Sequence, residues 1–344
     1  MDRRTFLKKA ALATLAASSG PLWMGTSQPP EAAPVPEKSR VVVAYHSRVT
    51  DEQGRIDDQI LDRLLQEAVQ SFTGKRDERD AWASLLHPFR TSDTFGLRVN
   101  CISAKSPSRP ELVETIAKAL NRIGIPSEQI IVWDRTGWEM EKAGYTLNKG
   151  KKGVQYFGLD AEGVGFDQGA TVKIPSTGLT LPLGRLLTAT CDHIITVPVI
   201  KDHATSGFTF GLKSAYAYLP LAKVVPRIDE RVRLMHIHHC DPQIAELNLS
   251  PLIRRKTRVV IGDALLGVYD KGPIAPANWR PNRLIIGKDL VATDTVALGI
   301  LEAKRAESNL PSVGEKVGYL HSAAKFGIGE GDLARIERID LKLG

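Results

Sequence analysis

The stretch from His193 to Tyr216, HIITVPVIKDHATSGFTFGLKSAY, places the tightest constraint on the fold. Residues 194–200 form an apolar run rich in β-branched side chains and too short for a free-standing helix. Such a run reads as a strand buried on both faces, as inside a parallel sheet. It gives way to Lys201-Asp202-His203 and a small-residue turn, and the pattern predicts a helix from near Gly207 that carries Lys213. In open α/β sheets ligands bind in the crevice beyond the carboxyl ends of the strands. Two lysines and a histidine at such a junction therefore mark a candidate site.

The rest of the chain repeats the same rhythm. Strands are expected at 40–46, 95–99, 130–133, 259–262 and 284–286, and helices at 56–71, 80–87, 110–123, 242–248 and 290–305. Pro110 opens one of these helices and Gly124 follows its end, the usual asymmetry of helix termini. Alternation of this kind predicts an α/β fold, a mostly parallel open sheet with helices on both faces. Residues 144–182 break the rhythm with a Gly-rich segment that reads as an antiparallel insertion or flap. Residues 37–344 are expected to form one α/β domain, closing with a short helix and an edge strand near 336–341.

The chain has 344 residues and a formal charge of +7. Residues 1–36 contribute four basic and two acidic side chains, which leaves about +5 for the remainder, a mild excess. With no basic block interleaved with aromatics, nucleic acid is not an expected partner. Residues 2–8, DRRTFLK, have the pattern of a twin-arginine export signal, followed by a short apolar run at 10–17 and a Pro-rich tether to Pro36. That run is too short for a permanent membrane anchor. The leader predicts engagement of the twin-arginine export machinery and a periplasmic or extracellular destination.

Five expected strands run out at His46, Asn100, Asp134, Lys201 with His203, and Asp263. A single polar strand end is ordinary turn chemistry. Five on one rim of a parallel sheet would form a charged pocket. In it, Lys201 and Lys213 are the natural holders of a small anion, helped by N–H groups at the start of the helix expected near Gly207. His203 and His239 are candidates for acid–base work, and Asn100, Asp134 and Asp263 for binding substrate. Asp294 sits on an apolar helix stripe with Val291, Leu298 and Leu301, where a carboxylate needs a partner. It either steadies Lys201 or a histidine of the site, or accepts from a local N–H group.

His236, His238, His239 and Cys240 are the candidate metal ligands, because imidazole and thiolate suit divalent transition metals. The cofactor is otherwise undetermined. The three cysteines, Cys101, Cys191 and Cys240, form no C-x-x-C pair, so no iron–sulfur motif is present in the sequence. Motifs for nucleophilic hydrolysis, G-x-S-x-G and H-E-x-x-H among them, are absent from it as well.

Several blocks in order resemble the domain of unknown function 362 family. They are DAWASLLHPFRTSDTFGLRVN, IVWDRTGWEMEKAGY, PVIKDHATSGFTFGLKSAY, HHCDPQIAELN, VVIGDALLGVYDKGP and DLVATDTVAL, with Ser214 where the family usually has Asn. The resemblance covers roughly residues 40–305. It implies an α/β fold and a family in which some members carry ferredoxin-like iron–sulfur segments. The leading expectation is an exported enzyme acting on a small anionic substrate, with metal assistance as an option. The alternatives are a non-catalytic binder of an anion or metal, and an accessory of an electron-transfer system.

Overall fold

The computed structural model describes residues 38–150, 152–221 and 229–344. The leader and tether expected at 1–36, and most of the irregular crossing expected at 219–231, lie outside the described residues. Strand β1, Ser39–Tyr45, sets the pattern for the sheet. Val41 and Val43 point into one core and Val42 and Ala44 into another. Successive strand residues face opposite sides, so a strand with every residue apolar needs a covering layer on each side.

The strands that follow are β2 (Phe95–Val99), β3 (Ile130–Trp133) and β4 (Gln155–Tyr156). Next come β5 (Phe166–Ile174), β6 (Leu179–Gly184), β7 (His193–Val197), β8 (Val199–His203) and β9 (Gly207–Thr209). The last three are β10 (Thr257–Val268), β11 (Arg283–Gly287) and β12 (Ile336–Lys342). The main sheet runs in the order β12-β1-β11-β10-β7-β2-β3-β4, with β8 on β10 and β9 on β8. Along that order only β11 runs against its neighbours, pairing antiparallel with both β1 and β10. The fold is α/β with a mostly parallel sheet, as the alternation predicts.

Helices Asp58–Thr73, Glu78–Leu86 and Pro110–Arg122 cover one face, where Leu61, Leu64, Trp82, Leu85, Leu112 and Ile116 join a core with Ile195, Val197 and Ile261. The Asp57 carboxylate accepts from the N–H groups of Gln59 and Ile60 and so starts the first of them. Helix Leu290–Glu307 lies on the other face with helices Gln243–Asn248 and Gly318–Lys325. Each fully buried aliphatic or aromatic side chain contributes about 1.5–3 kcal/mol, so these two layers hold the sheet between them.

Three local expectations are corrected. The segment at 144–182 is not all flap: β4 extends the main sheet parallel to β3, and the antiparallel hairpin is β5–β6, at 166–184. Its Val172 and Leu181 pack into the core beneath the second face. Strand β10 is far longer than 259–262, so Asp263 lies inside it and does not end it. Most consequentially, no helix starts at Gly207. The chain turns back there as β9, pairing Lys201 with Thr209 and His203 with Gly207, and then enters a 3-10 helix, Leu212–Tyr218. Gly207 takes φ +71°, a left-handed conformation that favours glycine, which lets this tight return form. The return also lays Phe210 over Gly262, where an added Cβ would stand 2.1 Å from the ring.

Candidate functional site

Strand periodicity decides which polar residues face one another. Lys201 and His203 are two apart on β8 and both reach a pocket at the strand end, while Asp202 between them points away. Asp202 accepts from the Gly272 N–H at 2.7 Å and pairs with Arg305 at 3.6 Å. Arg98 and Asn100, also two apart, reach the same pocket from β2 and the residue that follows it. Asp134 and Arg135 enter from the end of β3. The 3-10 helix has about three residues per turn, which brings Lys213 and Tyr216 onto one face, toward the pocket. The cavity so enclosed has a volume of about 160 Å³.

Its charge is lopsided. Arg98, Arg135, Lys201 and Lys213 line it, with Asp134 the one carboxylate of the lining among the described residues and Arg135 paired with Glu139. The Asp134 carboxylate is already engaged: it accepts from the Cys101 N–H at 2.6 Å and the Arg135 N–H at 2.8 Å, and lies 3.4 Å from Arg98 Nη2. Arg98 is 4% exposed, and its Nε and Nη1 have no hydrogen-bond partner among the described residues. Lys201 is fully buried, and its Nζ donates to Asn100 Oδ1 at 3.1 Å. Burial pulls the Lys201 pKa down to about 7, against the opposing pull of Cys101, Asp263 and Asp134.

His203 and Lys213 form the second half of the site. His203 Nδ1 receives the backbone N–H groups of Thr205 at 3.1 Å and Ser206 at 3.2 Å. Nδ1 is therefore the unprotonated nitrogen, and in a neutral ring the proton sits on Nε2. Nε2 lies 2.9 Å from Lys213 Nζ. Ser206 Oγ, which donates to the Phe208 carbonyl, accepts from Lys213 Nζ at 2.9 Å, and Cys240 Sγ lies 3.7 Å from that nitrogen. Two donated bonds and one received bond match a neutral amine. Burial lowers the Lys213 pKa to about 8, so the amine takes this form readily above that pH. Burial, with Lys213 and His236 nearby, pushes His203 down to about 2, which keeps its ring neutral. His236 stacks on His203 with centroids 6.1 Å apart, and its Nδ1 lies 2.7 Å from the Val232 carbonyl. Its Nε2 thus carries the lone pair, and burial lowers its pKa to about 4.

The family model for Domain of unknown function (DUF362) matches residues 96–299, more than half of the chain. The chain belongs to this family. The match opens within β2 and closes within helix Leu290–Glu307, so it contains every residue that lines the pocket described above. Among solved structures, a Thermotoga maritima protein is matched at 13% identity and a TM-score of 0.39, over 72% of this chain and 59% of that one. The lactate racemase apoprotein from Thermoanaerobacterium thermosaccharolyticum is matched at 14% identity and 0.34, over 69% and 54%. The chain spans less than two thirds of either, and likenesses this distant carry no argument about its chemistry. No curated protein matches it.

Of the residues singled out by sequence, Asn100, Asp134, Lys201, His203, Lys213 and His236 meet at the pocket. Asp263 does not line it. Its buried carboxylate accepts from the Arg109 N–H at 2.8 Å and the Leu265 N–H at 3.1 Å, which fixes the entry to helix Pro110–Arg122. Asp294 contacts neither Lys201 nor a histidine, and the N–H groups it accepts from are not those of its own helix. It takes those of Gly211 at 2.8 Å and Leu212 at 3.0 Å, anchoring the segment that carries Lys213.

The four candidate metal ligands part company. His238, His239 and Cys240 are all left-handed, so no strand or helix face is shared. His238 and His239 are exposed, His239 Nδ1 sits 2.8 Å from the Thr205 carbonyl, and Cys240 is buried beside Lys213. Among the described residues no three His, Cys, Asp or Glu side chains are grouped as a metal ion would require. Cys101, Cys191 and Cys240 are buried and form no disulfide among the described residues. His46 follows β1, near the other edge of the sheet, beside Gly344. Sequence reasoning missed Arg98 and Ser206. Arg98 left a signal, a lone charge within the otherwise apolar FGLRV strand; Ser206 left none.

Proposed function

We propose that this chain is an exported enzyme that binds a small organic anion in the β2–β3–β8 pocket and moves a proton on it. Arg98 and Lys201 hold the anion, and Lys213, poised by His203, takes or returns the proton. The observation that carries the reading is Arg98, a buried guanidinium at the pocket wall whose Nε and Nη1 have no hydrogen-bond partner among the described residues. A buried cation in that state is costly, and an anion oxygen brought against Nη1 or Nε would offset part of that cost. A cavity of about 160 Å³ suits a ligand of benzene size, since about 150 Å³ accommodates benzene. A pure binder of the same anion would use Arg98 and Lys201, but would gain nothing from an amine matched to a histidine N–H. Export rests on the twin-arginine pattern at residues 2–8.

The test pairs binding with exchange. Small carboxylates, phosphate and sulfate are screened for thermal stabilisation of the full chain and of Arg98→Gln. Stabilising carboxylates are then followed in D2O by proton NMR. Arg98-dependent stabilisation together with loss of a C–H signal, abolished in Lys213→Arg, supports the enzyme. Stabilisation without exchange by any ligand leaves only the binder. Indifference of both forms to every anion removes the site.

A further inference from the structure

The surroundings of Lys213 describe more than a base. Its Nζ is held by a serine hydroxyl, a thiol and a ring nitrogen, with no carboxylate among its hydrogen-bond partners in the described residues. An ammonium kept for charge alone would be expected to face a carboxylate; here the neighbours satisfy a free amine. Lys213 is 7% exposed, and it lines the same cavity as Arg98 and Lys201. Its neighbour in the wall, Tyr216, sends its hydroxyl away to the Met235 carbonyl at 2.6 Å, so that hydroxyl does not compete for the amine.

Resting on the anion-site reading above, we infer that Lys213 forms an imine with a small 2-oxo carboxylate whose carboxylate is held by Arg98 and Lys201. Attack by the Nζ lone pair forms the C–N bond as the carbonyl π pair moves to oxygen. The two hydrogens of the amine leave with that oxygen as water, so amine and ketone become imine and water with no outside oxidant or reductant. A carbonyl oxygen displacing the amine lone pair from His203 Nε2 takes over that N–H, which steadies the oxygen while it departs. The imine draws electrons from the neighbouring carbon and acidifies its C–H bonds, and because Nζ is then bound in the imine the proton leaves to a group other than Lys213. His236 Nε2, with its lone pair free of the Val232 contact, borders the same cavity and is placed to receive that proton. Six non-hydrogen atoms, as in pyruvate, are a ligand of about benzene size and match the enclosed space.

The experiment incubates the full chain with pyruvate and cyanoborohydride, then locates the reduced adduct by intact mass and peptide mapping. Propionate, which lacks the carbonyl, serves as the control. The expected result is one adduct on Lys213, absent with propionate, lost in Lys213→Arg and diminished in Arg98→Gln. Because Lys213→Arg crowds a buried slot, the wild-type peptide map is the deciding measurement if that variant does not fold. An adduct on Lys201, or adducts spread alike over surface lysines in wild type and variant, overturns the inference. So does Arg98-dependent stabilisation by pyruvate with no adduct, although the anion site then stands. No stabilisation by pyruvate or any other anion removes the site and the imine together.

Discussion

Lys213 Nζ stands 2.9 Å from His203 Nε2, and the opposite nitrogen of that ring already receives two backbone N–H groups. The turn between β8 and β9 thereby chooses the histidine tautomer, and the tautomer in turn chooses the protonation state that the lysine can adopt without a donor–donor clash. A local backbone feature thus sets the chemistry of a side chain ten residues downstream.

The first expectation concerns that lysine. With its pKa lowered to about 8 by burial, Lys213 is mostly protonated at pH 7 and loses its proton as the pH rises through 8. Competitive acetylation read by mass spectrometry is expected to give half-maximal labelling of Lys213 near pH 8. Exposed lysines should still be gaining reactivity toward about 10.4. Any reaction that uses the free amine rises along the same limb. A Lys213 midpoint among those of the surface lysines contradicts the arrangement.

Lys201 makes a prediction about stability. Its folded pKa is about 7 against 10.5 for the free side chain, with burial the main cause. Between those values the unfolded chain holds the extra proton, so this group's contribution to stability rises with pH across the window. Below about pH 7 the folded protein bears the full cost of a buried charge, on the order of 5 kcal/mol for a shift of this size. Lys201→Met in the ligand-free protein is therefore expected to be more stable than wild type at pH 6, with the advantage fading toward pH 10. Urea midpoints at the two pH values check this. Equal midpoints for both proteins throughout would refute it.

Asp294 behaves in the opposite sense. Burial raises its pKa to about 7 although the Gly211 and Leu212 N–H groups favour the ionised form. The folded state then holds the extra proton between about 4 and 7, so this carboxyl's contribution to stability falls as pH climbs through that range. Asp294→Asn turns an N–H donor toward the same backbone donors and is expected to cost on the order of 1–3 kcal/mol at pH 5. The deficit should shrink by pH 8, where wild type carries the buried charge. A deficit that widens with pH would show that the carboxylate is stabilised in its ionised form.

Gly262→Ala tests the packing that positions the Lys213 segment. Its new methyl would meet Phe210 Cζ at 2.1 Å, in a fully buried strand with little room to yield. Overpacking of this kind costs about 2–3 kcal/mol. A thermal midpoint within a degree or so of wild type would mean that the Phe210 ring moves aside freely.

Much of the frame was legible in the chain. Residues 95–99 and 130–133 are strands with the expected bounds because their signals are local: β-branched or aromatic runs, closed by polar residues. The return at Gly207 was not legible. A short run of Gly, Phe and Thr is ambiguous until β8 is beside it, since its strand character comes from pairing and not from composition. The metal expectation failed to gather its residues for a related reason. It presumed a regular face, and three left-handed residues in a row offer none.

By itself the sequence determined which segments become most of the buried strands and helices, and that Asn100 and Asp134 follow strands of the sheet and His203 closes one, whereas Lys201 falls in the middle of β8. Those outcomes depend on neighbours along the chain, on side-chain shape and on periodicity. Tertiary structure alone decided which charges meet and which are spent elsewhere. Lys201 finds Asn100 across 101 residues and Asp294 finds Gly211 across 83, while Asp263 is drawn off to cap a helix entry. Contacts over such separations are fixed by strand order and by which element lies above which, quantities that no short window of sequence contains.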